Sequence, residues 1–159
     1  MLSKVLPAAL LASSLFLALP PARAADAVPY PGTRVIETQS GFKALWDKLE
    51  AAVEANGMFV VTRASASRGA AGRGMKIHGN LVIGVYRNDF AVRMLKASVP
   101  AGIEAPLRFY VTENADGTAT LTYRKPSAVF APYGNADLDK MAAELDAIWA
   151  KIAAQATGG

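Results

Sequence analysis

The stretch "GVYRNDFAVRMLKASVPAGIEAPLRFYV", residues 84–111, decides the fold. Its first residues close an apolar run with strand-forming composition, and its last residues open another. Between them, Asp89–Ala97 carries apolar side chains at helical spacing. That helix must end before Pro100, because the residue ahead of a proline is pushed out of the helical region. With one Asp-Gly hairpin downstream and few long crossovers, the sheet is expected to run largely antiparallel.

Downstream, "PLRFYVTEN" (106–114) and "TATLTYRK" (118–125) flank Ala115-Asp116-Gly117, and Asp-Gly between two such runs is a strong hairpin signal. Asn135 then precedes a helical pattern that sets Leu138, Met141, Leu145, Ile148, Trp149 and Ile152 on one side, with Asp137 and Asp139 placed to suit the helix dipole. Upstream, "IHGNLVIGVY" (77–86) reads as strand, "SASRGAAGRGMK" (65–76) as a loop, and "MFVVTRA" (58–64) as strand. A helix with Phe42, Leu45, Leu49 and Val53 at helical spacing follows Ser40 and stops at Asn56-Gly57. "TRVIETQ" (33–39) is the first strand, and "ADAVPYPG" (25–32) an extended arm. The expected order is β-α-β-β-α-β-β-α. The expected class is α+β: a largely antiparallel sheet with helices packed on one face, in a single domain over residues 33–155.

The first 24 residues stand apart. Lys4 is followed by the uncharged apolar run "VLPAALLASSLFLAL" (5–19) and then "PPARA", whose Ala22 and Ala24 have the small-x-small spacing of a signal-peptidase site. A run of this length is shorter than the ~20 residues a spanning helix needs. Cleavage is expected after Ala24, giving a periplasmic or secreted chain with no stable membrane insertion. Losing Lys4 and Arg23 lowers the net charge from +4 to +2, too little to point to a nucleic-acid partner. With no cysteine, an exported chain must cohere by packing alone.

The same absence removes thiol nucleophiles, thiolate metal sites and redox pairs. His78 is the sole histidine, with no second ligand at helical spacing, so no metal and no cofactor is expected. "GAAGRGMK" resembles a phosphate-cradling loop in its glycines, but Met75 separates Gly74 from Lys76 and a strand follows, so the nucleotide-binding pattern fails. A weaker signal survives. From Arg63 to Lys96 seven basic residues face one acid, Asp89, and Arg73, Lys76 and His78 with Arg87, Asn88 and Asp89 form the candidate site for a small anion. Solvated surface charge is the preferred account of the loop. At the strand-to-helix junction, Asn88 or Asp89 accepting first-turn amides is a complete architectural account.

Together, "GF…LE.AVEANG" (41–57), the unit "RNDFAVRMLKASVPAGIEAPLRFYVTEN", Asp116-Gly117 and "TYRKPSAVF" (122–130) resemble the domain-of-unknown-function 302 family from about Gly41 to Tyr133. The resemblance implies a compact α+β domain, often exported, and a homodimer; it implies no reaction. Two departures stand out: the family's Asn-Pro at the junction is Asn88-Asp89 here, and its histidine after the second strand is replaced by "RASAS" (63–67). The function expected is a non-catalytic binding or accessory domain for a small anionic ligand. The alternatives are a homodimeric interaction protein and an enzyme built on carboxylates with Arg87 or Arg108.

Overall fold

The computed structural model describes residues 30–159. The expected signal peptide, and the first five residues of the extended arm, lie outside the described residues. Five strands, β1 (Thr33–Gly41), β2 (Phe59–Ala64), β3 (Asn80–Tyr86), β4 (Leu107–Glu113) and β5 (Thr118–Arg124), form one sheet in the order β1-β5-β4-β3-β2. Every neighbouring pair is antiparallel. β1 and β2 therefore occupy opposite edges while pointing the same way, and α1 (Phe42–Ala55) carries the chain across the sheet between them. The long α5 (Ala136–Thr157) packs beside α1, with α3 (Asn88–Ala97) and α4 (Pro126–Phe130) against α5. The α+β class with helices on one side is what the sequence predicts.

The core lies between helices and sheet. Alternation along β4 buries Leu107, Phe109 and Val111, and along β5 Ala119, Leu121 and Tyr123. Against them α1 supplies Leu45, Leu49 and Val53, and α5 supplies Leu138, Leu145, Trp149 and Ile152. Trp149 stacks on Phe109, with centroids 5.5 Å apart and planes at 12°.

Several boundaries differ from the expectation. Ser40 does not cap α1: it lies within β1, and the cap position is Gly41, which offers no side-chain bond. The Ser40 hydroxyl instead accepts from Lys48 Nζ at 3.2 Å. Gly57, at φ +67, ends α1 as predicted. The segment expected to be a loop contains α2 (Ala66–Ala71), so short that periodicity cannot reveal it. Its amides are held by neighbours: Ser65 Oγ accepts from Arg68 N at 3.2 Å, and Asn80 Oδ1 from Ala66 N at 2.8 Å. β3 begins at Asn80, which leaves His78 ahead of the strand and exposed. At α5, Asn135 Oδ1 accepts from Asp137 N and Leu138 N, as the sequence predicts.

The extra helix α4 is capped from a distance. Asp146 on α5 accepts from Ser127 N at 2.9 Å and Ser127 Oγ at 2.6 Å, and Lys125 Nζ lies 3.0 Å away. Burial alone would raise the Asp146 pKa; the Ser127 hydroxyl and amide and the Lys125 ammonium outweigh it and hold the carboxyl below its ordinary value. A carboxyl depressed in the folded state stabilises the fold above its unfolded pKa, and that stability is lost as the pH falls below about 4. An Asp146→Ala variant is therefore expected to lose about 1–3 kcal/mol at neutral pH and to show a smaller further loss on acidification than the parent, read by urea unfolding across that range.

Candidate functional site

Arg87 directly follows β3, and its backbone occupies the cap position of α3. Its guanidinium is committed locally. Nε and Nη2 donate to the Asp89 carboxylate at 2.7 and 3.0 Å, and the group sits 4.3 Å over the Phe90 ring. That bond is the main reason the Asp89 carboxyl is held below its usual value, with the Phe90 amide adding to it. The cap residue Arg87 offers α3 no side-chain bond, and the Asp89 carboxylate draws on the first-turn amides of Asp89 and Phe90, less than on Arg87. Asn88 is exposed, and its side chain makes no hydrogen bond. On the other side of Phe90, Arg93 is held by Glu144 at 2.7 and 2.8 Å. The polar turn thus locks the start of α3 by intramolecular pairs.

Arg73, Lys76 and His78 follow α2 and are exposed, without ion pairs among the described residues. They sit before β3 begins, whereas Arg87–Asp89 sit after it ends. Seven residues of strand separate the two groups by roughly 23 Å. The structure does not bring the candidate residues together. Beside Arg87 opens a cavity of about 30 Å³, walled by Met58, Phe90, Met94 and Trp149 among other apolar groups. It has room for about two waters.

A second cleft, about 50 Å³, opens where β4 begins and β5 ends, and is lined by Glu104, Leu107, Arg108, Arg124 and Val129. The register sets its two arginines face to face. Phe109 pairs with Tyr123, so the residues just outside, Arg108 and Arg124, oppose each other on the sheet face away from the helices. Gly84 of β3 and Thr33 of β1 continue the same row. Arg124 Nε is buried without an acceptor, and its guanidinium lies 5.0 Å from the Tyr30 ring centre. Across the cleft Tyr133 donates its hydroxyl to Glu104 at 3.0 Å. Sequence reading took Arg108 as a candidate and missed Arg124. The signal was the three-residue turn at 115–117, which fixes the pairing.

The helix-covered sheet, its strand order and the residues at its ends can be compared with known proteins. The family model for the Domain of unknown function DUF302 matches residues 34–156. The chain belongs to the DUF302 family. A solved DUF302 structure, that of an uncharacterized conserved protein from Bacillus stearothermophilus, superposes with a TM-score of 0.69 at 17% identity, covering 79% of this chain and 98% of that one. At that identity the likeness is one of fold. No curated protein matches. The position where the DUF302 resemblance implies a histidine falls in Arg63–Ser67, where Ser65 instead caps α2. Among the described residues no helix is long and apolar enough to cross a membrane. No group of three or more His, Asp or Glu side chains is placed to hold a metal ion among them.

Proposed function

We propose that this DUF302 chain is an exported, non-catalytic binding domain, that it works through the sheet face away from the helices, and that a second copy of the chain covers that face. One observation carries the reading. A continuous row crosses all five strands on the uncovered side: Val35, Thr122, Tyr110, Val82 and Ala64. Val35 is 49% exposed and Tyr110 39%. Phe59, 62% exposed, stands at the far end of β2 on the same side. Five strands of about seven residues present an area of roughly 24 by 23 Å. That is of the order of the ~800 Å² per partner that stable interfaces bury. An exposed apolar row flanked by polar rows has the mixed character that interfaces between separate chains show.

The non-catalytic part draws support from four of the twelve acids among the described residues. Glu50, Asp89, Glu144 and Asp146 are each bound to a cation, and each is held below its ordinary pKa, away from the neutral range where acid-base chemistry operates. Export rests on the charged start, apolar run and small-residue motif of residues 1–24.

Light scattering of the chain from Ala25 onward is expected to give twice the chain mass at micromolar concentration. Tyr110→Glu, which puts a charge at the centre of the row, is expected to give the single-chain mass with an unchanged circular dichroism spectrum. A parent that scatters as a monomer overturns the pairing.

A further inference from the structure

We propose that Arg108 and Arg124 form a binding site for a small carboxylate that carries a hydrogen-bond donor beside its acid group, as 2-hydroxy and 2-amino acids do. The two arginines stand on the same open face as the proposed pairing, in the row next to that of Tyr110, and the test below separates the two readings.

Directly opposed side chains on adjacent antiparallel strands have Cβ atoms only about 5 Å apart, and like charges so placed repel. Of the six other arginines among the described residues, three are neutralised by a carboxylate. Arg63, Arg87 and Arg93 each make a two-pronged bond to a carboxylate, with Glu50, Asp89 and Glu144. Among the described residues Arg108 and Arg124 have no such partner, although the register sets them opposite each other. Solvent exposure offsets the repulsion for Arg108. It does so less for Arg124, which is half-buried, with its Nε out of contact with solvent and unpaired. A guanidinium fork without a carboxylate partner matches one in two bonds at once.

The cleft limits what fits. At about 50 Å³ it admits the head of a small acid. Its wall is not uniformly positive: Glu104 lines it too, held by the Tyr133 hydroxyl through Oε1. A carboxylate on that wall repels a bare dianion and accepts from a donor group. The combination of two cations and one acceptor selects a carboxylate bearing a hydroxyl or an ammonium.

Heteronuclear NMR of the arginine side-chain N–H signals tests this with glycolate, acetate and inorganic phosphate as probes, on the parent and on the Tyr110→Glu chain. Using both chains keeps loss of pairing separate from loss of binding. Glycolate is expected to shift the Arg108 and Arg124 signals in both chains and to bind more tightly than acetate. Arg108→Gln and Arg124→Gln are each expected to weaken glycolate by about tenfold or more, while amide spectra elsewhere stay unchanged. The site is overturned if glycolate leaves both signals unmoved, or if its effect survives Arg124→Gln. Equal affinity for acetate, or tighter binding of phosphate, overturns the assigned ligand class.

Discussion

Trp149→Ala is expected to lower the unfolding free energy by about 3–5 kcal/mol, the range for removing a fully buried aromatic from a packed core. Trp149 is 1% exposed, lies flat on Phe109 and walls the cavity beside Arg87, so its loss merges a new void with an existing one. Whole domains are stable by only about 5–15 kcal/mol, so this substitution removes a large share. Trp149→Phe separates ring stacking from the rest. The indole Nε1 is buried without a protein acceptor, so phenylalanine keeps the stack while removing an unsatisfied donor. The lost volume and the relieved donor oppose each other, and the net loss is expected at about 1 kcal/mol or less. Guanidinium unfolding of both variants reads the difference as a midpoint shift at unchanged slope. Equal losses would show that the stack on Phe109 contributes little.

Gly84 carries the second large effect. It lies in the middle of β3, where strand propensity alone would favour a β-branched residue. Sterics decide otherwise. A Cβ at Gly84 would fall 2.3 Å from Thr62 Oγ1 and 2.7 Å from Pro106 Cγ. Overpacking of this kind costs about 1–3 kcal/mol, more than the roughly 0.5–1 kcal/mol that alanine regains in backbone entropy. Gly84→Ala is expected to destabilise, and Thr62→Ala in the same chain to restore part of the loss by removing the nearest obstacle. If Gly84→Ala melts with the parent, the strands have room to part there.

The sequence makes some parts of this molecule legible and hides others for identifiable reasons. Asn56-Gly57, Asp116-Gly117 and Asn135 each act within a few residues of themselves, so their turns and caps can be read directly and are found in place. Ser40 misleads because the β1 strand runs on to Gly41. Thr38 holds that turn from inside the strand, donating to Ala119 O at 2.7 Å and accepting from Ser40 N at 3.2 Å. α4 is hidden because its capping partner, Asp146, is distant in the chain, and α2 because its six residues are too few for periodicity to show, although Ser65 caps it locally. The separation of Arg87 from the 73–78 segment is a matter of strand length: counting basic residues along the chain groups what β3 holds apart. The opposition of Arg108 and Arg124 is the converse case. Far apart in sequence, they meet because one turn sets the register, and a slip of one residue would put Lys125 opposite Arg108 instead.

The two outermost strands carry a consequence for self-association. β1 shifts register between Glu37 and Gly41, and β2 between Val60 and Thr62. A broken ladder with Arg34 and Arg63 along it is a poor template for another backbone, because added hydrogen bonds cannot continue in step past the kink. Stacking across the flat side therefore remains open to these molecules, while lengthwise growth into fibrils is blocked at both ends.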